Sequence, residues 1–248
     1  MTWHITLEID KDVPDRAAAT MHAVAILENR LQALRVSSFD VHALGAPANG
    51  RIQVNLPDVP DRERLKRLLS VEGHLELTHV VSPPNPVPAR TYESQDEAEA
   101  SLGETAPPNR RVLPYSERND PIAGQPAKAT AAKQRWVVVE SPAIVDGADL
   151  RDAAAHEAYS GSKDYNIWFT LKPEGAAKFA QWTGANINEY IGVVLNGEVR
   201  SIAFVKSQIS DSAEISGRFN QQSAEDLALI LKSGALPEVK IVEEGPNN

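Results

Sequence analysis

Nine of the 17 prolines lie between Pro83 and Pro126, among them the run Pro83-Pro84-Asn85-Pro86-Val87-Pro88 and the pair Pro107-Pro108. Proline fixes φ and removes a backbone donor, so this stretch cannot form a long helix or a central strand. Two readings stand. It is a flexible linker, as proline-rich composition suggests. Or it is an ordered, irregular wall with one short helix near residues 94–102, anchored by Leu113, Tyr115 and Ile122. On either reading the prolines separate two regions of clean periodicity.

Before the prolines, residues 4–10 alternate, with Ile5, Leu7 and Ile9 on one face of a half-buried strand. Pro14 suits a helix start, and Val24, Leu27, Leu31 and Leu34 then recur at helical spacing. Residues 39–44 and 51–56 read as a strand pair across the Asn49-Gly50 turn. Pro60 opens a second helix with Leu65, Leu68 and Leu69, and residues 74–81 form a further strand with Leu75 and Leu77 buried. Strand, helix, strand, strand, helix, strand is the βαββαβ order of a ferredoxin-like sheet with two helices on one face.

After the prolines, residues 136–140 read as a strand and residues 148–158 as a helix capped by Asp146. Residues 166–171 alternate Ile167, Phe169 and Leu171, and Pro173 opens a helix carrying Phe179 and Trp182. Asn196-Gly197 between two apolar runs is a strong hairpin signal. Residues 213–219 are a strand. Ser223 caps a last helix that Gly234 and Pro237 end, and residues 239–243 form a final strand. The fold class is α+β, mostly antiparallel.

Composition narrows the function. With 42% apolar residues the chain can bury a core. Its net charge of −9 speaks against nucleic-acid binding, which needs basic surface. The absence of cysteine excludes disulfides and thiolate chemistry. No run of residues is long and apolar enough for a membrane helix. Neither a nucleophile elbow nor a P-loop nor a dinucleotide fingerprint is present. The six histidines show no H-x-H or H-E-x-x-H spacing, and a site built from His4, His42 and His74 has nothing else in its favour. The expectation is therefore no enzyme, no catalytic residues, no metal and no cofactor. Gly197 belongs to the hairpin, and Gly192 lets two backbones approach closely. Trp168, Trp182, Ile202 and Phe204 have two readings, as core or as an apolar contact surface.

A family resemblance rests on several motifs. Phe169-Thr170-Leu171-Lys172-Pro173-Glu174-Gly175-Ala176-Ala177-Lys178-Phe179 resembles the F-T-L-x-x-E-G-A-x-x-F stretch of SecD, a subunit of the bacterial protein-export machinery. Val193-Val194-Leu195-Asn196-Gly197 and Ile215-Ser216-Gly217-Arg218-Phe219 resemble I-V-L-D-G and I-S/T-G-x-F. The run from Ala224 to Pro237, ending Leu231-Lys232-Ser233-Gly234-Ala235-Leu236-Pro237, is similar to A-x-x-L-A-x-x-L-R-x-G-A-L-P. Upstream, Ile26-Leu27-Glu28-Asn29-Arg30-Leu31 resembles I-L-x-N-R-I/V, and Arg51-Ile52-Gln53-Val54-Asn55-Leu56-Pro57 resembles R-I-x-V-Q-L-P. The matches run in the family's order from about residue 4 to 244. Departures include Ser201-Ile202-Ala203 where S-A-P is usual, and no D-L-x-G-G precedes the first strand.

The resemblance implies the first periplasmic domain of SecD: a ferredoxin-like base near the membrane, with an inserted α+β head. The expected division is a base of residues 1–82 plus 220–244, on which the last helix and strand pack, and a head of residues 83–219. The implied function is binding of emerging, unfolded preprotein on the extracytoplasmic face of the inner membrane, beside SecF and the SecYEG channel. The family's proton coupling lies in membrane spans that are not among these residues, as expected of an excised domain. Candidate preprotein contacts are Trp168, Trp182, Ile202 and Phe204. The alternative is a stand-alone soluble ferredoxin-like module that binds a ligand or regulates; it would show a deep polar pocket.

Overall fold

Ile5, Leu7 and Ile9 are fully buried, as their alternation requires, in strand β1 (Trp3–Ile9). The computed structural model describes residues 3–83, 88–116 and 134–246. Part of the proline-rich stretch, including Ile122, lies outside the described residues. Two compact units are present: residues 1–73 with 233–248, and residues 74–232. Both mix helices with sheets.

The first unit contains β1, α1 (Arg16–Ala33), β2 (Asp40–Ala43), β3 (Arg51–Leu56), α2 (Arg62–Ser70) and a strand from the far end of the chain. Leu7 faces Ile52 and Ile5 faces Val54 across β1 and β3, so the register puts both apolar sets on one side. Ile26, Leu27 and Leu31 of α1 and Leu65 and Leu69 of α2 pack into the same core. Helix α1 stops by a Schellman motif: Arg35 takes positive φ, its N–H meets the Gln32 carbonyl, and the Val36 N–H reaches back to Leu31. The sheet order is β13-β1-β3-β2, where β13 is Val239–Pro246. The edge beside β1 is thus taken by the last strand of the chain. The segment expected there, residues 74–81, forms β4 (Leu75–Val80) and pairs with a strand of the second unit instead. Its alternation suits either sheet, because period-two patterning names a buried face and not a partner.

Arg30 is the largest side chain with no solvent exposure. Its five N–H groups all donate. Nε bonds Ser233 Oγ at 3.0 Å; Nη1 bonds the carbonyls of Leu68 and Val71, both at 2.7 Å; Nη2 bonds those of Glu72 and Gly234, both at 3.1 Å. Leu68 lies in the last turn of α2, where carbonyls lack intrahelical partners and the helix dipole is negative. The Glu72 carbonyl also accepts the N–H of Leu236, which is itself fully buried. Gly234 has φ +96°, a conformation that side chains resist. Desolvation pulls the Arg30 pKa down to about 10, so the guanidinium stays charged at neutral pH.

The second unit contains β4, α3 (Gln95–Ala100), β5 (Arg110–Tyr115), β6 (Arg135–Glu140), β7 (Val145–Asp146), β8 (Leu150–Glu157), β9 (Tyr165–Leu171), α4 (Pro173–Ala185), β10 (Tyr190–Leu195), β11 (Glu198–Phe204), β12 (Ser212–Phe219) and nearly all of α5 (Gln221–Ser233). Five of its strands close into a ring. β10 pairs with β11 on one side and β4 on the other, β4 meets β6, β6 pairs with β5, and β5 bridges back to β11. Val80, Val137, Val139, Tyr190, Val194 and Val199, with Leu113 and Tyr115, supply one apolar cluster from all five strands. Asn196 and Gly197 both take positive φ, as a two-residue hairpin of primed type requires. A Cβ on Gly192 would stand 2.9 Å from Val80 Cγ2 and 3.5 Å from Val199 Cγ1. The close approach at Gly192 is therefore to side chains and not, as expected, to a neighbouring backbone.

Two further expectations change. Residues 150–157 form strand β8, although this alanine-rich run favours helix locally. Asp146 does cap, but in a single turn whose box is closed by Asp149, and β8 then pairs with β9 from Leu150 to Glu157. Tertiary pairing overrides propensity. Second, the last helix packs on the second unit: Ala224, Ala228 and Leu231 join the core of Phe169, Phe179 and Phe219. Its cap is Asn220, whose Oδ1 accepts the Ser223 N–H at 2.9 Å. The proline-rich stretch contributes α3 near the expected place, and also strand β5, with Pro114 inside it.

Two substitutions test this packing. Arg30→Met leaves four carbonyls without this donor and should lower stability by about 3–5 kcal/mol in urea unfolding. Gly192→Ala should cost about 1–3 kcal/mol through overpacking, read as a lower urea midpoint with unchanged slope.

Candidate binding surface

The three-stranded sheet β12-β9-β8 buries one face and leaves the other open. Ile167, Phe169 and Leu171 point to the core, so Asn166, Trp168 and Thr170 take the opposite face. Trp168 is 53% exposed, which is unusual for a tryptophan at the middle of a central strand. Its neighbours across the sheet are Ala154 on β8 and Glu214 on β12. The indole Nε1–H donates to Glu214 Oε2, and Asn166 Nδ2 donates to Glu214 Oε1 at 2.6 Å. His156 meets the indole edge-on, with ring centroids 5.3 Å apart and planes at 87°. The indole is thereby fixed in orientation while much of its surface stays in water.

The other expected contact residues lie elsewhere. Trp182 is partly buried on α4 against the second unit's main core, with its ring 5.4 Å from that of His79. Ile202 and Phe204 are partly buried on β11 against the ring cluster, where Phe204 packs on Tyr190. The four residues do not form one patch. Of them, only Trp168 is classed with the exposed large apolar side chains.

Sequence reading missed the polar group beside Trp182. His79 on β4 holds Glu140 Oε2 at 3.0 Å through Nδ1 and Glu189 Oε2 at 3.1 Å through Nε2. Arg110 also reaches Glu140. The partners lie 61 and 110 residues away from His79, so spacing carried no signal. Among the described residues no group of three histidine, aspartate or glutamate side chains is arranged to hold a metal. The hollows described in the first unit are shallow clefts, such as the one between Leu34, Val36, Pro57, Val59 and Leu65.

Comparison with known proteins gives a consistent answer. A family model described as the SecDF P1 head subdomain matches residues 124–238. The protein translocase subunit SecD of Koribacter versatilis is 36% identical over 237 residues, covering 94% of this chain and 39% of that protein. Its counterpart from Aquifex aeolicus is 31% identical, covering 90% of this chain and 38% of that protein. Thus the chain spans about two fifths of the length of these curated relatives. Among solved structures, a membrane component SecDF that enhances protein export matches with TM-score 0.68 and 27% identity, over 97% of this chain and 98% of that one. SecDF in a super-membrane-facing form matches with TM-score 0.71 and 27% identity, over 98% of this chain and 30% of that one.

His79→Ala would leave the Glu140 and Glu189 carboxylates without their shared partner. It should lower stability by about 1–2 kcal/mol in urea unfolding, and His79→Asn should restore part of the loss.

Proposed function

The chain is a SecD-family segment that carries the SecDF P1 head subdomain, and on that premise we propose that it holds extended segments of a chain being exported. The work takes place on the extracytoplasmic side of the membrane, beside SecF and the translocation channel. The residue-level observation that carries the reading is Trp168: a large aromatic held half in water on an open sheet face. Extended chains are bound by shallow apolar surfaces and by strand addition, and neither needs a deep pocket.

The architecture supports the same reading. In the first unit, the strand order β13-β1-β3-β2 is that of a ferredoxin-like sheet whose last strand is supplied from the far end of the chain. Residues 74–232 stand between α2 and β13 in sequence. We read the first unit as the base and the second as the inserted head. The role is mechanical and not enzymatic: the relatives are translocase subunits, and the conserved chemistry of hydrolases or kinases has no counterpart in the motifs here. Among the described residues no helix is long and apolar enough to cross a membrane.

Site-specific photocrosslinking in full-length SecD, with an arrested export intermediate, tests this function. A crosslinker replacing Trp168 should capture the exported chain, with weaker capture from positions 182, 202 and 204, which are partly buried. Capture from first-unit positions such as Met21, with none from the second unit, would overturn the reading.

A further inference from the structure

We propose that the open face around Trp168 selects cationic segments, taking an arginine or lysine of an extended chain on the face of the indole with its charged end at the Glu214 carboxylate. This rests on the reading of the second unit as a holder of exported chain, and adds a chemical preference to it.

Among the described residues Glu214 has three polar neighbours: Asn166 and Trp168, both neutral donors, and His156, whose Nε2 stands 3.4 Å from Oε2. The other ring nitrogen of His156 lies 2.9 Å from the Glu157 carbonyl. No lysine or arginine among the described residues pairs with this carboxylate. A carboxylate accepts about four hydrogen bonds, so Glu214 retains capacity for a donor arriving from solution.

The aromatic partner is placed to act with it. Trp168 and Glu214 are directly opposite on β9 and β12, which puts both side chains on the same face at neighbouring-strand distance. On the other side of Trp168 the opposite residue is Ala154, too small to cover an indole. Tryptophan is the best of the aromatic faces for a cation, and guanidinium its commonest protein partner. A guanidinium lying on the indole with one edge at Glu214 would gain a cation–π contact and a charge-assisted hydrogen bond together. The occupant is an extended peptide because the face is an open sheet, not a cavity. The chain's net charge of −9 favours the approach of a basic segment.

Fluorescence anisotropy with two labelled peptides of otherwise identical, unfolded sequence tests the proposal. One carries a central arginine and the other citrulline, which keeps the shape and loses the charge. The wild-type chain should bind the arginine peptide about tenfold more tightly. Glu214→Gln, which removes the charge and keeps one acceptor oxygen for the indole N–H or for Asn166, should remove most of that preference. Trp168→Leu should weaken the arginine peptide by a similar factor. A thermal melt matching wild type certifies each variant, and Glu214→Gln carries the test alone if Trp168→Leu fails to fold. Equal binding of the two peptides overturns the cation preference but leaves the holding function standing, as does arginine binding indifferent to both substitutions. Binding of neither peptide overturns the proposal, and crosslinking from position 168 then decides whether the holding function falls with it.

Discussion

The first unit depends on one buried cation. Burying a guanidinium costs several kcal/mol unless its donors are met. Arg30 meets all five, and four of the acceptors are main-chain carbonyls from two segments far apart in sequence. The segment at the end of α2 and the one at Ser233 and Gly234 are thus tied to α1 at a single point. Main-chain acceptors leave the geometry independent of the side chains at Leu68, Val71 and Glu72. The Gly234 carbonyl precedes β13, which pairs with β1.

The physics of this tie accounts for two of the motifs that mark the family resemblance. Ile26-Leu27-Glu28-Asn29-Arg30-Leu31 is the helical stretch that supplies the guanidinium and three core side chains. Ser233-Gly234-Ala235-Leu236-Pro237 supplies an acceptor hydroxyl, a carbonyl presented at positive φ, and a fully buried leucine. Neither string carries chemistry. Each specifies one side of the same contact.

Much of the local structure was legible because its causes are local. Asn196-Gly197 specifies its hairpin by the φ values both residues adopt. Alternation located β1, β3 and β9 and named their inward faces. What failed was non-local. The pattern of β4 could not say which sheet would receive it, and the alanines of β8 favoured helix until β9 supplied hydrogen-bond partners. The candidate surface was legible in the same uneven way. Alternation along β9 implies that Trp168 faces away from Phe169, so its exposure follows once Phe169 is core. The involvement of Glu214, Asn166 and His156 depends on strand registers, which sequence spacing does not contain.

The central claim is that an extended chain is held on the second unit, at the open face of β8, β9 and β12. The indole N–H of Trp168 gives a resolved signal in a proton–nitrogen correlation spectrum, and its hydrogen bond to Glu214 makes it sensitive to anything that settles on that face. Titration with an unfolded polypeptide should shift this resonance, and the amides of residues 150–157 and 212–219 with it. Shifts confined to residues 3–73 and 233–246, with the Trp168 indole unmoved at saturation, would contradict the account.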